Sequence, residues 1–318
     1  MLSAGGRMAA LDFRESTPQF SVVIATYNDW GPLEQCLRTL GEQSGTPRFE
    51  VVVVDDGSND AAPEFIDKWG SQFPLRVERQ AHEGISAARN HGARIAQGSV
   101  LVFVDADCKL QKDCLAKLNS TIEQHPTDDY FQLRMSGDCA GLVGRAEELR
   151  LVTLQKYMLE PDGYIRYLNT AGFAIRREKA DVSGGLFDPQ ALRAEDTLFL
   201  ANLMQAGKLP RFASEAVVSH AIPLSLGRCL LKDIRSAYLE GHTYDLIASK
   251  GVKIRVTHRE RMSMLRFMWK LSAERSIGRA AFFVLAARQT LRFMILLITD
   301  FSGMRFGSRA AAKPVEGN

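Results

Sequence analysis

At 318 residues, with 46% hydrophobic and 24% charged side chains, the chain has ordinary globular composition and enough length to bury a large core, which excludes a disordered polypeptide. Five cysteines without a CxxC pair argue against a zinc ribbon or a disulfide framework and for reduced thiols. The net charge of +3 is unevenly placed: residues 253–309 carry twelve Lys or Arg against three Asp or Glu, so the rest of the chain is net acidic and its C-terminal part suits an anionic partner.

Residues 1–17 read as a loose leader without the apolar stretch of a signal peptide. FSVVIATYND (20–29) reads as a strand entering a loop, and the apolar spacing at 33, 36, 37 and 40 predicts a helix over 31–43. FEVVVVDDGSND (49–60) is a second buried strand that ends on acids and a turn. A helix near 61–69 and a short strand at 75–80 follow, then a helix within 84–98 bounded by Gly84 and Gly98. VLVFVDADC (100–108) is a third buried strand that stops on two carboxylates. Strands alternating with helices predict parallel pairing in a layered α/β domain, whose ligands bind at the carboxyl ends of the strands. All three acidic turns, at Asn28-Asp29, Asp55-Asp56 and Asp105-Asp107, lie at such ends.

A second region begins near Tyr130. GLVGRAE (141–147) reads as a further strand, and residues 169–207 as a strand, a turn, a Gly-Gly loop and an amphipathic helix starting near Glu195. After Pro223 the chain becomes basic and helical to about residue 309, and 310–318 reads as a disordered tail.

The acids carry the chemistry. Extended geometry over Asp105-Ala106-Asp107 would point both carboxylates the same way, which is costly without a cation between or beyond them. A hard cation such as Mg²⁺ or Mn²⁺ takes oxygen ligands and binds through one or two carboxylates plus substrate phosphates. Asp107 then holds the metal, and Asp105 the metal shell or a ribose. The plain alternative is a polar turn after a strand. Asp55-Asp56-Gly57-Ser58 has its own plain reading as an Asx-type turn, which gives no reason for Asp56 to lie beside Asp105. Arg89 either sits on a solvated helix face or meets a diphosphate or base with its planar donors. Glu195-Asp196 either favours a helix dipole or supplies a carboxylate base to an acceptor hydroxyl. His220 is either structural or a metal or phosphate ligand.

The ordered set SVVIATYND, VVVVDDGSND, GISAARNHG, VFVDADC and GGLFDPQALRAEDTLFLANLMQAG resembles the family 2 glycosyltransferases over roughly residues 18–222. The resemblance implies a GT-A fold, a Rossmann-like α/β nucleotide-diphospho-sugar transferase architecture, here followed by a C-terminal helical extension over 223–309. It implies inverting, divalent-cation-dependent transfer from a nucleotide-diphosphate sugar, with uridine preferred, to a saccharide or lipid-linked hydroxyl acceptor in cell-surface polysaccharide or glycolipid synthesis. It makes Asp56 the base-recognition residue and Tyr27, flanked by Thr26 and Asn28, the group stacking near that base. Asp105 becomes the ribose contact, Asp107 the metal ligand and Asp196 the catalytic base. Arg89 at the donor site and His220 at the metal rest on their own chemistry rather than on the resemblance. Arg193 departs from the small or polar residues often found there and leaves acceptor specificity open.

Two other readings compete. Haloacid-dehalogenase-type phosphohydrolases also place DxD after a buried strand, but near the chain start and followed by Gly-Thr or similar rather than Cys108-Lys109. A catalytically dead nucleotide-sugar-binding membrane scaffold has no reason to keep Asp105, Asp107 and Asp196 together.

The basic segment 261–301 mixes Arg and Lys with Met, Phe, Trp and Leu, and its charges interrupt every run long enough to span a bilayer. It reads either as helices packed on the catalytic domain or as helices in a membrane interface, with Phe282, Phe283, Phe293, Met294 and Leu296 in the acyl boundary. The expected location is cytoplasmic, peripheral on an anionic membrane surface, with no nucleic-acid partner.

Overall fold

The structure is a computed structural model that describes residues 18–137, 141–191, 193–220, 226–249, 258–274 and 278–301. The expected leader, the tail after 309 and the 221–225 join between domain and extension lie outside these residues.

The chain builds β1 (Phe20–Thr26), α1 (Trp30–Gly41), β2 (Phe49–Asp55), α2 (Phe65–Gly70), β3 (Leu75–Arg79), α3 (Ile85–Ile95) and β4 (Val100–Phe103). Next come β5 (Cys108–Leu110), α4 (Cys114–Gln124), β6 (Tyr130–Ser136), α5 (Leu142–Met158), β7 (Phe173–Arg176), α6 (Glu195–Gln205) and β8 (Arg211–His220). Three helices complete it: α7 (Leu226–Ser249), α8 (His258–Glu274) and α9 (Arg279–Phe301).

One sheet carries all these strands in the order β3-β2-β1-β4-β7-β6-β8-β5. The predicted parallel pairing holds for β3, β2, β1 and β4. Beyond β4 the sheet is mixed: β7 runs antiparallel to β4 and β6, β8 lies parallel to β6, and β5 is antiparallel to β8. The continuous apolar runs are explained by cover on both faces. Val22, Ile24, Val51, Val53 and Val102 pack with Leu33 and Leu37 of α1 and Leu115 and Leu118 of α4. Their alternating neighbours Val23, Val52, Val54, Leu101 and Phe103 pack with Ala88 and Ala93 of α3 and Leu200 and Leu203 of α6. Gly92 lets α3 approach the sheet, since a Cβ there would lie 2.5 Å from Val23 Cγ1.

One expectation needs correction. Residues 142–158 form α5, not a strand. GLVGRAE is too short to show a helical period, but its continuation buries Ala146, Leu149 and Val152 on one face at helical spacing. That face meets Met268 and Leu271 of α8 and Ala281 and Leu285 of α9. The basic helices therefore pack on the catalytic domain through α5, and α7 bridges α6 and α9. A buried ion pair pins the arrangement: Arg288 of α9 donates from Nε and Nη2 to the Asp233 carboxylate of α7 at 2.7 and 3.1 Å. No described helix is long and apolar enough to cross a membrane.

Candidate active site

The acid pair does not keep strand geometry. β4 ends at Phe103, and Cys108 N donates to the Asp105 carbonyl at 3.0 Å, closing a turn over 105–108. The two carboxylates therefore meet different partners, Arg89 and His220. Asp105 accepts from Arg89 Nη2 at 2.6 Å. Asp107 lies 3.5 Å from Nδ1 of His220, both side chains being a quarter exposed. Like-charge repulsion at this strand end is relieved by a separate partner for each acid, the Arg89 guanidinium and the His220 imidazole. Burial alone would raise Asp107, but the hydrogen bond and charge of His220 outweigh it and hold the carboxyl below its ordinary value. The same contact raises His220 against the lowering effect of its burial. Asp29 is raised by burial and then by the charges of Asp107 and Asp105, as expected if the acidic turns share one sheet edge.

Arg89 does not sit on a solvated helix face. Only 2% exposed, it lies inside the protein between two carboxylates. Nη2 holds Asp105, and Nη1 holds Glu195 Oε1 at 2.5 Å. Glu195 also accepts from Thr170 Oγ1 at 3.3 Å. Burial alone would raise Glu195; the Arg89 charge overrides it and keeps the carboxyl low. Asp196, the next residue, is the opposite case. It accepts from Thr197 N at 2.6 Å and Thr197 Oγ1 at 3.2 Å, and among the described residues it has no ion pair. Burial and then the Glu195 charge push its carboxyl up to about 7. Ala194 adopts φ +60 immediately before α6, a left-handed conformation uncommon for a side-chain-bearing residue.

Asp56 is 3% exposed and already saturated. Oδ1 accepts from Gln80 Nε2 at 2.8 Å and Glu83 N at 2.9 Å; Oδ2 accepts from Gly84 N at 2.9 Å and lies 2.9 Å from His82 Nδ1. The carboxylate, expected to recognise a base, organises the 80–84 loop through these four donors. The loop presents His82 stacked on Tyr27, ring centroids 4.2 Å apart, and Tyr27 is 42% exposed. Asn28, at φ +56, donates from its backbone N to Ser58 Oγ and accepts at Oδ1 from Asn59 N, tying the first two acidic turns together. Gly57 closes the second turn at φ +80, where a Cβ would lie 3.0 Å from His82 N. Thr26 Oγ1 is buried without a protein partner at the end of β1, a polar atom free for a ligand.

The ligand atoms that come together among the described residues are those of Asp107, Cys108 and His220; Asp105, also read as a metal ligand, is not one of them. Asp107 and His220 fit a divalent cation that brings its other ligands on a diphosphate. His82 and Cys108 escaped the sequence reading. His82 sits in a stretch without periodicity, and Cys108 counts as an inert core thiol until β8 is placed beside it.

Residues 21–183 match the family described as glycosyl transferase family 2. The uncharacterized glycosyltransferase YfnE of Bacillus subtilis is 37% identical over 98 residues, which cover 30% of this chain and 25% of that one. The validoxylamine A glucosyltransferase of Streptomyces hygroscopicus subsp. limoneus is 40% identical over 91 residues, 28% of this chain and 20% of that one. Such matches span about a quarter of the length of these curated relatives. The fold resembles the mannosyltransferase PcManGT of Pyrobaculum calidifontis in complex with GDP-Man and Mn²⁺, at 20% identity and a TM-score of 0.58 over 91% of this chain and 77% of that one. It also resembles S. aureus TarS 1–349 in complex with UDP, at 20% identity and a TM-score of 0.52 over 90% of this chain and 92% of that one. The sheet, the acidic turns at its edge and the extent of the family match agree: this chain belongs to glycosyl transferase family 2, on a GT-A fold.

Proposed function

We propose that this protein transfers a glycosyl group from a nucleotide-diphosphate sugar, with uridine preferred, to a hydroxyl acceptor with inversion at the anomeric carbon. One observation carries the reading: at the start of α6 the adjacent carboxylates are driven apart, Glu195 held ionised by Arg89 and Asp196 pushed up to about 7. A carboxylate of that basicity suits a general base at neutral pH. Asp196 takes the acceptor proton as the hydroxyl oxygen attacks the anomeric carbon from the face opposite the diphosphate. The bond from that carbon to the diphosphate breaks, and the nucleoside diphosphate leaves with the electron pair. Asp107 and His220 would hold a divalent cation, Mg²⁺ or Mn²⁺, which when bound neutralises the departing diphosphate. Tyr27 and His82 offer a stacking platform for the base, and Thr26 Oγ1 a hydrogen bond. The complexes of the solved neighbours, with GDP-Man and Mn²⁺ and with UDP, support a nucleotide-sugar donor and a divalent cation. The test is a panel of nucleotide sugars assayed for nucleoside diphosphate release with and without each metal, followed by anomeric analysis of the product. Retention of configuration, or full turnover in excess chelator, overturns the reading.

We also infer a lipid-linked acceptor and peripheral docking on an anionic, cytoplasmic membrane surface. The supporting observation is that α9 leaves Phe283 at 61%, Phe293 at 46%, Met294 at 52% and Ile298 at 57% exposure although its other face is packed on α5. Trp269 of α8 joins this rim at 42% exposure, and the Arg279 guanidinium lies 3.5 Å from its ring centroid. Aromatic and aliphatic side chains beside basic ones match an interface where apolar groups enter the acyl boundary and charges meet head groups.

A further inference from the structure

Cys108 and His220 are direct cross-strand neighbours, paired where β5 runs antiparallel to β8. Residues facing each other across such a ladder project to the same side. The pairing brings together side chains 112 residues apart, with Cys108 Sγ 3.6 Å from His220 Nδ1. The turn over 105–108 adds the third donor: Asp107 Oδ1 lies 3.9 Å from the same sulfur and 3.5 Å from the same nitrogen. Zinc bonds of ~2.3 Å to sulfur and ~2.0–2.2 Å to nitrogen and oxygen place tetrahedral ligand atoms about 3.3–3.6 Å apart. The three observed separations fall at or a few tenths of an ångström beyond that range before any ion has drawn the donors in. The sulfur is closed to solvent, while Asp107 and His220 are each a quarter exposed, so an ion enters from their side and leaves its fourth position outward.

We propose that Asp107, Cys108 and His220 form an O,S,N site for a thiophilic divalent cation of the zinc class, distinct in preference from the hard cation that a diphosphate donor carries. Mg²⁺ and Mn²⁺ gain little from a thiol, whereas Zn²⁺ and Cd²⁺ bind thiolate and imidazole together, and Zn²⁺ stands well above Mn²⁺ in the divalent series. On binding, the Sγ–H proton leaves to solvent and a metal–sulfur bond forms; no oxidation is involved. The two classes of ion share Asp107 and His220, so the thiophilic ion excludes the hard one. That competition rests on the proposed glycosyl transfer, whereas the binding itself does not.

The test is made on substrate-free full-length protein. Cd²⁺ titration of the wild type is expected to produce an ultraviolet thiolate-to-metal charge-transfer band that saturates at one ion per chain, and Co²⁺ the visible spectrum of a tetrahedral site with a sulfur ligand. Cys108→Ser is expected to lose the Cd²⁺ band and bind Zn²⁺ at least ten-fold more weakly in a chelator competition; His220→Gln is expected to weaken Zn²⁺ to a similar extent. No thiolate band in the wild type, or a band that survives Cys108→Ser because another cysteine supplies it, overturns the site, as does unchanged Zn²⁺ affinity in folded Cys108→Ser. Should Cys108→Ser fail to fold, the wild-type spectra and His220→Gln still decide. Absence of sugar transfer with the band present would sink the proposed reaction and leave the site standing. An added Zn²⁺ that displaces Mn²⁺ from the wild type, followed by loss of the Mn²⁺ resonance signal from the bound state, is the expected competition; Mn²⁺ and Zn²⁺ bound together would refute it.

Discussion

Arg89 and Glu195 meet at 2.5 Å across 106 residues of sequence, inside the protein, and the same guanidinium holds Asp105 at 2.6 Å. One cation thus ties α3 to the turn after β4 and to the first residue of α6. It sets the charge of Glu195, and through Glu195 the basicity of Asp196.

Removing that cation leaves two carboxylates uncompensated. Arg89→Met is expected to cost about 3–5 kcal/mol, the usual penalty for breaking a buried pair. The loss should shrink as pH falls and Glu195 becomes protonated, and Glu195→Gln in the same chain should recover part of it. Urea unfolding at two pH values on the single and double variants measures this. A loss under ~1 kcal/mol that ignores pH would mean that the guanidinium is not the keystone.

Asp196→Asn is expected to retain donor binding and lower turnover by ~10²–10⁴-fold. Since burial and Glu195 push Asp196 up to about 7, kcat/KM should rise with pH through that region as the base deprotonates. The stability effect has the opposite sign. A carboxyl raised from 3.8 to about 7 on folding binds its proton more tightly in the folded state, so its contribution is present at low pH and lost as pH rises between those values. Asp196→Asn should flatten that part of the stability profile. Donor affinity lost with turnover intact would move Asp196 to a binding role.

Asp107→Asn is expected to keep the fold, because the side chain is a quarter exposed and its neighbour His220 remains. Metal-dependent nucleotide binding should fall at least ten-fold and transfer should be abolished. Calorimetry with a nucleoside diphosphate, with and without Mn²⁺, separates this from simple unfolding; binding that stays metal-dependent in the variant would exclude Asp107 as the ligand.

Replacing Phe283, Met294 and Ile298 together with Ser removes apolar area from the exposed face of α9 without touching Ala281 and Leu285 in its packed face. Thermal stability should change little, while co-sedimentation with anionic liposomes at low salt should drop several-fold. Wild-type protein that remains in the supernatant under those conditions would leave the helices as packing alone and favour a soluble acceptor. Binding that is equal for neutral and anionic liposomes would remove the electrostatic part, worth roughly 1 kcal/mol per basic residue at such a surface.

The sequence by itself determined the first half of the sheet, its three acidic strand ends and the carboxylate pair opening α6. These features are local: an apolar run needs cover on both faces, and acids, Gly and Asn mark where it ends. Tertiary structure alone decided what the acids do. Asp105 and Asp107 look alike in sequence but face Arg89 and His220, because a turn replaces the extended geometry after Phe103. Asp56 meets donors of its own loop that its spacing does not announce. Glu195 and Asp196 are neighbours in the chain, yet one is ionised and the other basic, because Arg89 pairs directly with the first while burial and the Glu195 charge raise the second. Cys108 gains a partner only when β8 lies against β5, a pairing fixed by strand order across more than a hundred residues. Charge state and ligation depend on what comes within a few ångströms, and no local spacing encodes that distance.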